Sequence, residues 1–294
     1  MKYIFLAAGK STGQINSDTP VCLTPYNNNK LILDVLLENV YETGGQDIYI
    51  VGGFGILKLL QKYPKLKFFY SKNWEYSKSL ASFYSAKTIF DEDIILSYTD
   101  VVYKKNILEK LAGVNSKIAI IIDSNWKNRY EGRSSDFLIE AEKIFQSSST
   151  KSIRVGKGDI IGDEVILGES VGVFYFNISI IKKMKKNINE NFDIQSSSIS
   201  DLITYLANKN SFDLIDIKGE WAEMDSPADL IQFKFGTKAD TLHRLKNKLS
   251  KSEILSQIKF TINDVKNDIG SVIKDIQKSF SARSLVVRSS ALNE

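Results

Sequence analysis

An α/β fold with a Rossmann-like, mostly parallel sheet and helices on both faces is what this sequence predicts, and three observations carry the prediction. Apolar runs of strand length alternate with amphipathic stretches of helical length from the first residues onward. The connections between them are short, which suits strands that cross over through helices and lie buried on both faces. The composition, 43% hydrophobic and 25% charged over 294 residues, is that of a globular chain long enough to bury a full core.

The elements follow in order. "YIFLAA" reads as a buried strand, and "LILDVLLENVYETGG" as a helix stopped by Gly44 and Gly45. "DIYIVGG" is a second strand, followed by the helical "ILKLLQKY". "KLKFFY", "DIILSYTD" and "KIAIIID" supply three more strands, with "SLASFYSAKTIF" and "KKNILEKLAG" as the helices between them. Ligands of such sheets bind at the carboxyl ends of the strands. Further on, "SDFLIEAEKI" and "EVILGESVGVFYFN" carry strand signals, with "SSSTKS" a polar loop between them. After Asp225 the pattern turns almost wholly helical through "ADTLHRLKNKL", then to a strand at "SLVVRSS". A boundary near Phe235–Lys238 divides the chain into a domain of residues 1–235 and a mainly helical fragment, 236–294. The last strand is followed at once by Glu294, so the expectation is a fragment of a longer protein.

Charge and composition narrow the function classes. The net charge of +4 lies wholly in residues 240–294, which carry 10 basic and 6 acidic side chains. So small a surplus calls for no nucleic-acid partner. No apolar stretch reaches the length of a membrane span, and no secretory signal opens the chain. Cys22, the single cysteine, has no internal partner for a disulfide, which fits a cytoplasmic protein.

Three stretches carry candidate chemistry. In "LAAGKSTGQ", Gly9 lets a ligand approach the backbone, while Ala7 and Ala8 keep side chains out of its way. No Gly-x-Gly-x-x-Gly or Walker-type Gly-Lys-Ser/Thr is present, and alone the motif suits an ordinary strand-to-helix turn equally well. "ILSYTDVVY" sets Asp100 at the carboxyl end of a buried strand. "GEWAEMDSPADL" sets Asp225 just before a helix that Ser226 would cap and Pro227 would open. Taken singly, Asp100 reads as a strand-end turn residue and Asp225 as a second cap.

Together these stretches carry a resemblance. Residues 3–40, through "TPVCLTPYNNNKLILDVLLENV", resemble the opening of nucleotidyltransferases of the sugar-phosphate and phosphocholine cytidylyltransferase type. That opening runs Leu-Ala-Ala-Gly-x-Gly-x-Arg, then Thr/Lys-Pro-Lys-x-Leu, then a helix. The resemblance continues in order over residues 1–235. It implies that Leu6, Ala7, Ala8, Gly9 and Lys10 line the nucleotide and that Asp100 and Asp225 hold Mg²⁺ on the triphosphate. Hard carboxylate oxygens suit that ion, which neutralises charge at the attacked phosphorus. "SKSLASFYSAK" resembles the family's Asn-Asn-x-x-Ser-Leu segment near the base. There Ser82 matches, and Lys78 and Ser79 replace the asparagines. "DSNWKNRYEGR" and "GESVGVFYFN" resemble the acceptor-side strands, which makes Glu169 a substrate contact. Asp123 is a weaker one, more simply read as a solvent-exposed strand end.

The departures matter as much. The family's Arg falls at Gly13 and its Lys at Val21. Positioned cations of this kind stabilise the transition state of phosphoryl-type transfer. Lys10 is the first substitute to consider, with Lys30 and Lys157 behind it.

The tail has its own resemblance. "KFGTKADTLHRLKNKL" and "SFSARSLVVRSSALNE" resemble the start of the ATP-binding domain of phosphoenolpyruvate synthase and pyruvate phosphate dikinase. There Gly-Gly-Lys-Gly-x-x-Leu opens the domain and Val-Arg-Ser-Ser-Ala-x-x-Glu-Asp ends a strand beside the ATP phosphates. Arg288 matches the second motif's arginine, a bidentate phosphate ligand by its chemistry. Lys238 matches the first motif's lysine approximately. The plainer alternative is an amphipathic helix and a basic strand end. His243, the only histidine, reads as a surface residue. The resemblances imply a Mg²⁺-dependent nucleotidyltransferase, of CTP type, that moves a nucleoside monophosphate onto a small phosphorylated acceptor and releases pyrophosphate. Its partner would be the rest of a dikinase-type kinase in the same chain. The alternative is a catalytically degenerate nucleotide-binding or structural domain of such a kinase.

Overall fold

The computed structural model describes residues 1–10, 18–130, 136–224, 227–236, 238–246, 248–281 and 284–288. They fall into two compact units, Met1–Leu230 and Ile231–Glu294.

The first unit opens with β1 (Lys2–Ala7), α1 (Ile32–Glu42), β2 (Ile48–Gly52), α2 (Ile56–Lys62) and β3 (Lys67–Tyr70). There follow α3 (Ser79–Ser85), β4 (Ile94–Tyr98), β5 (Val101–Tyr103), α4 (Asn106–Ala112) and β6 (Ile118–Asp123). Next come α5 (Asp136–Glu140), β7 (Lys143–Ser147), β8 (Ile153–Gly156) and β9 (Glu164–Phe176). The rest is α6 (Ile178–Asn191), α7 (Ile199–Ala207), β10 (Phe212–Asp216) and β11 (Trp221–Glu223); α8 (Pro227–Phe235) begins in the first unit and ends in the second.

Seven strands stand in the order β10-β6-β9-β4-β1-β2-β3, and β7 and β8 extend the sheet from β9. Four of the six pairings along that order are parallel; only β9, against β4 and β6, runs the other way. The mostly parallel sheet is as the sequence reads. Alternate residues of β1 explain how it is covered. Ile4 and Leu6 join the cluster built from Leu80 and Phe83 of α3, Ile180, Ile181 and Met184 of α6, and Leu202 and Ile203 of α7. Tyr3 faces the other way, and Gly45 lies against both its ring and Val40 of α1. Burying each such apolar side chain contributes roughly 1.5–3 kcal/mol.

Three local expectations need correction. "SDFLIEAEKI" is not one strand: Asp136–Glu140 is a helical turn with no buried residue, and the strand starts at Lys143. Asp136 in the first turn favours that helix start. β8 was hidden behind the polar loop, and its outer edge is covered by α7. Asn208 accepts from the Ile153 N–H at 2.8 Å and donates to the Ile153 carbonyl at 2.7 Å, and Thr204 accepts from the Val155 N–H at 2.9 Å. A free edge is closed without another strand.

The third correction lies in the second unit, which holds α9 (Lys238–Leu245), α10 (Ile262–Asn267) and α11 (Ile269–Ser279). Thr261 and Asp264 form a capping box at the start of α10, and Asp268 caps α11. The strand expected at "SLVVRSS" is absent among residues 284–288: Val286 and Val287 are 80% and 93% exposed, with no strand partner in the described residues. Arg288 and His243 are both exposed. No described helix is long and apolar enough to cross a membrane.

Candidate active site

At the carboxyl end of β1 the glycine turn is clamped by its neighbours. Leu6, Ala7 and Ala8 are buried, whereas Gly9 and Lys10 are exposed. The Thr99 hydroxyl donates to the Leu6 carbonyl at 2.8 Å, and the Phe54 N–H to the Ala8 carbonyl at 2.9 Å. The exits of β4 and β2 thus fix the path of the turn. Two glycines here differ in what surrounds them. A Cβ on Gly53 would lie 2.6 Å from the Trp74 Cβ and 2.7 Å from the Ala8 carbonyl oxygen, so packing demands glycine. A Cβ on Gly9 would meet nothing within 4 Å among the described residues, so their packing does not demand glycine there.

The same clamp sets Asp100, half-buried, beside the turn, since Thr99 precedes it. β11 pairs antiparallel with β5, and beyond the Glu223–Val101 pair the Met224 N–H donates to the Asp100 carbonyl at 2.6 Å. Asp225, next in sequence, lies outside the described residues, as do Gly13 and Ser226. Of the two carboxylates expected to hold a divalent cation, the described residues therefore include Asp100 alone, at the exit of β4. Mg²⁺ is ordinarily held by one or two carboxylates plus substrate phosphates. Among the described residues no group of three or more His, Cys, Asp or Glu could hold a metal.

Lys10, exposed beside Gly9 in the turn, holds its Nζ 5.4 Å from the centroid of the Phe54 ring. Lys30 and Lys157 do not converge there: they pair with Glu38 at 2.6 Å and Glu140 at 3.0 Å. Val21 begins a single 3₁₀ turn, half-buried. Next to it Cys22 is enclosed, and burial raises its thiol to about 12, so it stays protonated. Ser82 is buried, with its hydroxyl 3.2 Å from that of Ser71.

The antiparallel side of the sheet forms a second polar centre. Asp123 and Glu169 are cross-strand partners at the end of β6. Asp123 is not the exposed strand end the sequence suggested: it is fully buried, accepting from the Trp221 indole at 2.9 Å and from the Asn125 N–H at 2.8 Å. The Tyr130 hydroxyl donates to Glu169. Arg129 stacks on the Trp221 ring at 3.9 Å and lies 3.6 Å from both Glu169 and Glu223. Burial opposes its charge, but Glu169, Tyr130 and Glu223 outweigh that and hold the guanidinium firmly protonated. Glu142, close by, accepts from the Ser200 hydroxyl; burial pushes its carboxyl above the usual range, against the pull of Ser200 and Ser170. Glu169 was the residue foreseen here. Arg129, Tyr130, Trp221 and Glu223 were missed, although Trp126, Arg129 and Tyr130 in one polar stretch after a strand exit were a visible signal.

No family model matches the chain. A curated relative, the CTP:phosphoglutamine cytidylyltransferase of Campylobacter jejuni, is 27% identical over 250 residues, covering 78% of this chain and 98% of the relative. Among solved structures, the inositol-1-phosphate CTP transferase of T. maritima aligns with a TM-score of 0.57 at 19% identity, covering 80% of this chain and 96% of that one. A Bacillus anthracis protein assigned as a glucose-1-phosphate thymidylyltransferase, in complex with sucrose, gives 0.59 at 12% identity, covering 80% and 95%. The first unit has the nucleotidyltransferase fold. In this nucleotidyltransferase-type domain the glycine turn and Asp100 stand at the exits of the paired strands β1 and β4, and the Arg129 cluster gathers around Glu169 of β9 and Glu223 of β11.

Proposed function

We propose that the first unit is a CTP-dependent nucleotidyltransferase acting on a small phosphorylated acceptor. What carries this reading is the clamping of Asp100 beside an open glycine turn by the Thr99 and Met224 hydrogen bonds. In the reaction an acceptor phosphate oxygen attacks the α-phosphorus of the nucleotide. The bond from that phosphorus to its bridging oxygen breaks, and pyrophosphate leaves. The attacking phosphate is already an anion, so no general base is needed and alignment supplies much of the rate. The Gly9 backbone would support the nucleotide, and Lys10 would offer a cation from the same turn. Mg²⁺, held by Asp100 and on this reading also by Asp225, would neutralise phosphate charge. The Campylobacter relative is named for phosphoglutamine, and a phosphorylated amino acid is therefore the first acceptor to test. We further propose that the second unit begins a dikinase-type ATP-binding domain whose kinase would phosphorylate the acceptor.

The absence of the family cations at Gly13 and Val21 favours one other reading, a domain that binds nucleotide without turning it over. Pyrophosphate release from CTP and Mg²⁺, with phosphoglutamine and other phosphorylated acceptors, separates the two. Turnover above background, with CTP preferred over the other nucleoside triphosphates, is expected. CTP binding without release, unrepaired by Val21→Lys with Gly13→Arg, would leave the binding role.

A further inference from the structure

The polar centre around Arg129 has a charge pattern that restricts what it can bind. One guanidinium stands between Glu169 and Glu223, its Nη2 at 3.6 Å from each and donating to the Tyr130 hydroxyl at 3.1 Å. Its Nε and Nη1 are buried with no hydrogen-bond partner among the described residues. Asp123 adds a third carboxylate behind Trp221. The guanidinium side chain is 12% exposed and that of Glu223 37%, so the cluster opens at its Glu223 edge.

A buried donor without an acceptor is costly, and a ligand oxygen that meets it is correspondingly favoured. A phosphate dianion is a poor candidate, because it would also face Glu169, Glu223 and Asp123. A ligand end that carries a carboxylate and an ammonium together suits both signs. Entering from the Glu223 edge, the carboxylate would meet the buried, unpartnered Nη1 of Arg129, and the ammonium would meet Glu223 and Glu169. The distance to the chemistry is also short in chain terms. Glu223 is followed by Met224, whose N–H reaches the Asp100 carbonyl. A small molecule can therefore present one end to Arg129 and its phosphate towards Asp100.

We infer that Arg129, Glu169 and Glu223 recognise the α-amino-acid end of a phosphorylated amino-acid acceptor, with Arg129 as the specificity-determining residue for its carboxylate. This rests on the nucleotidyl-transfer reading, and the test separates the two. Phosphoglutamine and its decarboxylated counterpart are titrated into the full chain by calorimetry, and both are assayed for CTP-dependent pyrophosphate release. The wild type is expected to bind the intact amino acid ~10-fold more tightly, the scale of one charge-assisted contact. Arg129→Met should erase that preference by weakening the intact form alone, through KM rather than kcat, and Arg129→Lys should restore part of it. Equal affinity of the wild type for both forms overturns the inference even if Arg129→Met does not fold. Release that favours a phosphorylated acceptor lacking the carboxylate, such as phosphocholine, overturns it too, and leaves nucleotidyl transfer standing. A carboxylate preference in calorimetry with no release from any acceptor supports the pocket and overturns the transfer reading.

Discussion

The two sides of the central sheet place their polar groups by different rules. From β4 through β1 to β3 the strands run parallel, and nearly every side chain of β1, β2 and β4 is buried. Their charged residues lie at the strand ends, with Lys2 opening β1 and paired with Asp91, and Asp100 just beyond β4. On the β9 side the strands run antiparallel, and buried charge reaches into a strand: Glu169 lies within β9, while Asp123 ends β6 and Lys143 opens β7. Asp123, Lys143 and Glu169 are 0%, 2% and 1% exposed. The interior of a parallel strand packed on both faces leaves little room for a charge. A strand that extends past its neighbours, as β9 does towards β7, can hold charges if partners such as Trp221 and Tyr130 satisfy them.

That contrast can be broken at several points. Asp100→Asn removes the one described carboxylate at the nucleotide end and keeps its volume. CTP-dependent pyrophosphate release should fall ~100-fold or more, with the melting temperature unchanged. A mutant that melts much earlier would make Asp100 a structural residue instead. The glycines sharpen the point. Gly53→Ala should destabilise by about 1–3 kcal/mol, because Trp74 and the Ala8 carbonyl leave no room. Gly9→Ala should cost less than about 0.5 kcal/mol in urea unfolding yet weaken CTP binding. On the other side, Asn208→Ala strips the cover from the β8 edge and should cost about 1–2 kcal/mol, accompanied by earlier aggregation on heating.

The smallest effect is a slope. The Glu142 carboxyl sits above its ordinary value of 4.5 in the folded protein, so the folded state binds that proton more tightly than the unfolded chain. Its contribution to stability is complete below 4.5 and is lost as pH rises through the folded value. Glu142→Gln has no such titration. Its stability relative to wild type should therefore rise between acid and neutral pH, measured as urea midpoints. A parallel pair of pH profiles would dismiss the burial effect.

Much of the parallel side was legible because one signal, an apolar run ending in a turn, determines strand, burial and site together. "DIILSYTD" gives β4 and, at its end, Asp100. The antiparallel side was less legible because its signals are divided. β8 is four residues long and half its side chains face α7, so it reads like the loop before it. Phe137 and Ile139 suggested a strand, but both stay largely exposed on a single helical turn. Asp123 looked like a surface residue because its partner, Trp221, comes from far along the chain. The Arg129 cluster was invisible for the same reason: residues 129, 169 and 223 meet only once β9 and β11 are in place.

The pairing of β9 also orders events in time. Tyr3 pairs with Ile48 and Tyr49 with Lys67, so the glycine turn rests on contacts available early in synthesis. Ile94, by contrast, pairs with Phe176, and Ile118 with both Phe176 and Phe212. Closing such long loops is slow, and the reward arrives only when the distant strand has emerged. On a ribosome adding roughly 5–20 residues each second, the open edge of β4 waits several seconds for its neighbour. During that interval the nascent chain presents a long apolar edge with nothing to cover it, and this is when a chaperone would be needed most.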